Sequence, residues 1–228
     1  MRPARLVLVT MMLASAAAAG VREVELSLPV RAKLALTGHE KLYLGPFLRE
    51  TKADEAQPRL GFSVESEFER ELRRLLRKEA KFILLPSLEG VRPPTTDPLE
   101  LTKATDFWRE LGTRTGADYI VAGSIDFKIE DRSGYKQEEY TSPIDGRTYY
   151  RQVLVEQTGF TYDILLQVYD ARTGAVVHEE PLKDFQEMPE RSVDEFSGMF
   201  ANLYSLENQV INIFVPRTVK TKRQLILP

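Results

Sequence analysis

His39 and His178 are the only imidazoles in a chain of 228 residues, and there is no cysteine. Thiolate nucleophiles, disulfides and cysteine-held metals are therefore excluded. His178 is followed by Glu179 and Glu180, which would begin a metal site. The sequence supplies no His-Glu-x-x-His pair or other ligand spacing beside it, and a charged strand end explains the run better, so no metal is expected. Gly61-Phe62-Ser63-Val64-Glu65 has the outline of a nucleophile elbow, but its second glycine is missing and no strand leads into it. Ser63 reads instead as a helix cap. Glycine patterns for phosphate loops or dinucleotides are absent, so no cofactor is expected. With 34 acidic residues, some carboxylates will lie close in any fold, which leaves the two-carboxylate chemistry of glycoside hydrolysis open. No catalytic residue is assigned.

The other residues with a chemical use are tyrosines. Tyr135, Tyr140, Tyr149 and Tyr150 lie in the polar stretch between Glu130 and Gln157, with Asp145-Gly146 at its centre. Asp-Gly between extended segments predicts a β-hairpin. Tyrosines on a projecting ribbon give rigid, amphipathic contact area, so these four are the candidate partner-binding residues. Cross-strand pairing of aromatics that merely stabilises the ribbon is the competing account.

Several elements must carry that hairpin. Val24, Leu26 and Leu28 alternate with polar residues and predict a strand ended by Pro29, with the alternation Ala32, Leu34, Leu36 as its partner. Lys41–Phe47 predicts a strand stopped by Pro46 and the polar stretch Glu50 to Gln57. Val64, Phe68, Leu72, Leu75 and Leu76 form one stripe of a helix from Ser63 to about Glu79. A short strand follows over Phe82–Leu85, closed by Pro86, and then a loop to Asp97. A helix over Leu101–Thr115 places Trp108 in the core and Gly116 at its end. Tyr119–Ile129 starts as an unbroken apolar run and then alternates, the pattern of a strand that begins mid-sheet and emerges half-exposed. Thr158–Tyr169 predicts another strand, turning through Asp170–Gly174 into Ala175–His178 as a second hairpin. The last helix is expected from Ser192 to Phe214, with Val193, Phe196, Phe200, Leu203, Val210 and Phe214 on one side and Pro216 as its stop. Arg217, Lys220, Lys222 and Arg223 make a small basic cluster in the tail, which is either solvated or touches an anionic surface.

Arg2 and Arg5, the apolar run Leu6–Ala14 and the small residues Ser15–Gly20 follow the order of a secretory signal with an A-x-A site, so cleavage is expected between Ala19 and Gly20. The run is too short to span a bilayer as an anchor. Residues 20–228 are expected to form a single soluble domain with no membrane span. Losing Arg2 and Arg5 takes the net charge from −3 to −5, and an acidic balance of this kind speaks against nucleic acid as a partner.

Lys41–Phe47, the helix after it, and Gly116-Ala117-Asp118-Tyr119-Ile120-Val121-Ala122-Gly123-Ser124 resemble the curli-secretion-protein G-like envelope family. That group includes lipoprotein activators of penicillin-binding proteins and the N-terminal domain of the Tol-system translocation protein. Val168-Tyr169-Asp170-Ala171-Arg172-Thr173-Gly174 resembles the family's strand-turn-strand ending in Asp-x-x-Thr-Gly. The resemblance spans about Lys41 to Ile213. It implies an α/β fold, a mixed β-sheet flanked by helices with projecting β-hairpins, used as a docking platform at the outer membrane. Two departures matter: the lipid-bearing cysteine is absent, and Glu138, Glu139, Asp145, Arg147 and Arg151 populate the hairpin, which does not suit a lipid-facing strand. The expectation is therefore a non-enzymatic, exported envelope protein, periplasmic or peripheral at the outer membrane. It would dock an envelope or outer-membrane protein in assembly or activation of a complex, and self-association stays open. The alternative is a periplasmic or secreted hydrolase of cell-wall or glycan material.

Overall fold

Thirteen consecutive residues, Tyr119–Asp131 (β4), form the strand on which the sheet is built, and the apolar run that starts them is buried on both faces. The computed structural model describes residues 21–49, 63–79, 82–189 and 195–226. Before β4 come Val21–Val30 (β1), Lys41–Arg49 (β2), Val64–Glu79 (α1), Ile83–Leu84 (β3), Pro98–Lys103 (α2) and Thr105–Thr115 (α3). After it come Gly134–Thr141 (β5), Thr148–Val155 (β6), Gln157–Asp170 (β7), Val176–Pro189 (β8), Glu195–Phe214 (α4) and Arg217–Ile226 (β9). Two compact units result. One is built from β1 and β9, and the other spans Arg31–Pro216. Residues 1–20, which hold the predicted signal and the Ala19–Gly20 junction, lie outside the described residues, as do Glu50–Gln57, Gly61-Phe62 and Ser192–Asp194. No described helix is long and apolar enough to cross a membrane.

In the larger unit five strands are ordered β3-β2-β4-β7-β8, with β2 parallel to both β3 and β4, and with β7 antiparallel to both β4 and β8. This is the mixed, helix-flanked α/β sheet that the family resemblance implies. Strand alternation sorts the core into two halves. Leu42, Leu44, Val121, Ile125, Phe160, Ile164, Leu166 and Val168 face a layer that holds Phe68, Leu72 and Leu76 of α1 and Leu203, Leu206, Val210 and Ile213 of α4. On the opposite face Tyr43, Ile120, Ala122 and Tyr169 pack with Leu101, Trp108 and Leu111. Trp108 is fully buried, stacks on Tyr169 with ring centroids 4.0 Å apart, and donates its indole N–H to the Leu101 carbonyl at 2.9 Å. Burial pushes the Tyr169 hydroxyl up to about 12.

Several expected boundaries hold in detail. Ser63 Oγ accepts from the Ser66 N–H at 3.2 Å and caps α1. Gly116 closes α3 in the left-handed region, at φ 67°. Other boundaries are corrected. The helix expected over Leu101–Thr115 is two helices that meet at Ala104 (ψ 60°), and the first of them starts earlier, at Pro98, capped by the Asp97 carboxylate. Pro46 does not stop β2. The strand continues to Arg49, and a register shift between Leu44 and Phe47 absorbs the residue that lacks an N–H. β8 runs far beyond His178 to Pro189, and Pro181 is tolerated within it because β8 is an edge strand. Residues 31–40 form no strand. Leu34 and Leu36 pack on the core instead, and the Leu34 N–H donates to the Ile213 carbonyl at 2.8 Å.

The smaller unit is an antiparallel ribbon, with β1 and β9 in register from Val21↔Ile226 to Val30↔Arg217. The partner of the first strand is thus the tail, and Ala32–Leu36 takes no part.

Candidate functional site

The β4–β7 ladder pairs residue for residue from Tyr119↔Asp170 to Asp131↔Thr158, and the Arg132 N–H then donates to the Gln157 carbonyl at 2.9 Å. From that rung the chain continues into the β5–β6 hairpin, which pairs from Gly134↔Val155 to Thr141↔Thr148. Its tip, Ser142–Arg147, is closed by the Ser142 N–H to the Arg147 carbonyl and by the Gly146 N–H to the Ser142 carbonyl, both 2.9 Å. Gly146 sits there at φ 68°, which explains the Asp-Gly signal.

Residues directly opposite one another on paired strands share a face, and this register divides the four candidate tyrosines. Tyr140 opposes Tyr149 and Glu138 opposes Arg151 on one face. That face is engaged with itself. The tyrosine rings lie 6.0 Å apart, and the Arg151 guanidinium sits 5.1 Å over the Tyr140 ring. Its Nε and Nη2 reach Glu138 Oε2 at 3.1 and 2.9 Å. The Tyr149 hydroxyl donates to Asp145 Oδ2 at 2.7 Å. Tyr140 and Tyr149 are accordingly only 38% and 41% exposed.

The other face carries Tyr135 opposite Leu154 and Tyr150 opposite Glu139, with Gln137 opposite Gln152 between them. Here exposure is much higher: Tyr135 74%, Tyr150 65% and Leu154 56%, with Ile144 at the tip 95% exposed. The candidate surface is therefore Tyr135, Tyr150 and Leu154 on one face, joined by Ile144 at the end of the ribbon. The sequence reading missed Leu154 and Ile144. Parity could have found the division: Tyr149 and Tyr150 are adjacent and must point to opposite faces, and the offset from Tyr135 to Tyr140 is odd, so they do too.

The other residues weighed for chemistry lie elsewhere. His178 Nε2 is 3.3 Å from Glu180 Oε2, while Lys33 holds the other oxygen of Glu180 at 2.5 Å. No group of three potential metal-ligating side chains occurs among the described residues. Two carboxylates do stand directly opposite each other, Asp126 on β4 and Asp163 on β7. Lys128 holds Asp126 at 2.9 Å and Lys183 holds Asp163 at 2.5 Å.

No protein-family model matches the chain, and no curated protein matches it in sequence. Among solved structures it is similar to a hypothetical protein from Chlamydia trachomatis (TM-score 0.42, 16% identity, 76% of this chain and 94% of that one). It is also similar to the PelC dodecamer from Paraburkholderia phytofirmans (TM-score 0.37, 15% identity, 86% and 100%) and to LpoB from E. coli (TM-score 0.39, 11% identity, 82% and 81%).

Proposed function

We propose that this protein is a non-enzymatic docking module of the bacterial cell envelope, exported and periplasmic or peripheral at the outer membrane. Its contact surface is the hairpin face bearing Tyr135, Tyr150 and Leu154, and its partner is an envelope or outer-membrane protein whose assembly or activation it supports. One observation carries the reading: of two hairpin faces that each hold two tyrosines, one is internally paired and the other presents its aromatic and aliphatic groups outward. Clustered aromatics on a rigid projecting element are the usual anchors of a protein interface. The competing hydrolase reading would need a carboxylate free to act as acid or nucleophile, and the opposed pair Asp126 and Asp163 is already engaged by two lysines.

The test is co-purification with crosslinking from envelope extract, using the intact chain, a Tyr135→Ser/Tyr150→Ser/Leu154→Ser variant and a Tyr140→Ser/Tyr149→Ser variant. The outward-face variant is expected to lose its captured partner, since each anchor contributes about 1–2 kcal/mol, while the paired-face variant keeps it. Equal capture by the intact chain and the outward-face variant would overturn the assignment.

A further inference from the structure

The β1–β9 ribbon divides its residues by face as sharply as the hairpin does. Glu23, Glu25 and Ser27 share one face with Gln224, Lys222 and Lys220, and there Lys222 pairs with Glu23 at 2.6 Å and Lys220 with Glu25 at 3.1 Å. The other face carries Val24, Leu26 and Leu28 opposite Arg223, Thr221 and Val219, and Leu26, Leu28 and Val219 are exposed. Among the described residues neither strand has a second strand neighbour, so each offers an open edge of backbone N–H and C=O groups. A two-stranded ribbon is marginal by itself and gains stability from a third strand, and an open edge is a template for one.

The charges select which strand fits. β9 carries Arg217, Lys220, Lys222 and Arg223 and no acid, whereas beyond Arg22 the charges of β1 are Glu23 and Glu25. Pairing β9 with β9 of another copy would set lysine columns side by side, and pairing β1 with β1 would do the same for glutamates; both repel. Pairing β9 of one copy with β1 of the next repeats the attraction already present inside the ribbon. We infer that copies of this chain associate head to tail, the β9 edge of one pairing with the β1 edge of the next. This gives a heterologous contact that closes into a ring or propagates. Leu26, Leu28 and Val219 of successive ribbons then lie on one face, with Arg223 beside Val24 at its end.

The experiment is native mass spectrometry of the full chain, alone and mixed with a Glu23→Lys/Glu25→Lys/Lys220→Glu/Lys222→Glu variant. This exchange keeps every complementary pair, both within a ribbon and between identical copies. Each protein is expected to assemble by itself. In the mixture the two are expected to sort apart, with mixed species depleted ~10-fold below statistical mixing, because a wild-type β9 meets a basic β1 on the variant. Preferential mixed assemblies would mean that like strands pair and would overturn the proposal. Statistical mixing, a variant that stays monomeric while the wild type assembles, or monomers of both at every concentration would overturn it equally.

Discussion

Tyr149 donates its hydroxyl to Asp145 at 2.7 Å, bridging the tip of the hairpin to the strand that leaves it. That bond holds the Asp145 carboxyl below the usual aspartate range, helped by the Arg147 N–H, and the same carboxylate pushes the Tyr149 hydroxyl up. A carboxyl lowered on folding supports the structure above its unfolded value, about 3.9, and that support is lost as pH falls through the folded value. Tyr149→Phe is expected to return Asp145 toward the ordinary range and to speed amide exchange across 142–147. A carboxyl-carbon NMR titration reads the first effect, and an unchanged Asp145 would show that the bond does not form in solution.

Glu40 makes a sharper case. Its carboxylate accepts from the Thr37 N–H and hydroxyl, both 2.7 Å, and from the N–H groups of Gly38 and His39 at 2.8 and 3.1 Å. These donors, Thr37 foremost, hold it at about 2. The 37–40 turn should therefore be at full strength above about pH 4.3, the ordinary glutamate value, and weaken only as pH approaches 2. Glu40→Gln should remove that pH dependence, and an NMR titration of Glu40 showing an ordinary midpoint would refute the account.

Gly174 closes the turn between β7 and β8, at φ 73°, and a Cβ there would come within 2.1 Å of the Thr105 carbonyl oxygen. The turn is otherwise organised by Asp170 Oδ1, which accepts from the Arg172 N–H, the Thr173 N–H and the Thr173 hydroxyl. Gly174→Ala combines a strained backbone with a backbone clash and should cost about 2–4 kcal/mol. Urea unfolding followed by the single tryptophan would show the midpoint fall, and an unchanged midpoint would mean that the turn relaxes freely.

Tyr162 is a polar group without use in the core. Its ring is fully buried among Phe68 and Phe127, and its hydroxyl finds no hydrogen-bond partner among the described residues. Burial, with Glu65 and Glu67 adding to it, pushes that hydroxyl well above the ordinary tyrosine value. Removing an unsatisfied buried hydroxyl is expected to be neutral or stabilising by up to about 1–2 kcal/mol. Tyr162→Phe should thus raise or preserve the urea midpoint, and a clear loss of stability would reveal a bond made in solution.

Much of the fold was legible because local patterns agree with burial. The stripe Val64, Phe68, Leu72, Leu76 of α1 and the run that opens β4 are all in the core, and Asp145-Gly146 marks the hairpin tip. What was illegible depends on partners distant in sequence. Alternation marks Val24–Leu28 as a strand but does not say that it pairs with Arg223–Val219, almost two hundred residues on. β8 hides its length because His178–Asp184 reads as charged, although Leu182 is fully buried. Pro46 misled because the backbone shifts register there and the strand goes on. At the candidate site the sequence located the tyrosines, but only the register of β5 on β6 separates the pair that holds the ribbon from the pair that is presented.

The single rung from Arg132 to Gln157 separates two regimes of constraint. On the sheet side a substitution in the buried stretch Ile120–Phe127 of β4 is felt by packed neighbours. On the hairpin side the strands answer chiefly to each other, so a compensated change such as exchange of the Glu138–Arg151 pair for its reverse leaves the core untouched. Residues 133–156 thus behave as a replaceable cartridge: the ribbon can be shortened, redecorated or grafted from another protein at that joint, and recognition can diversify while the fold that carries it is inherited unchanged.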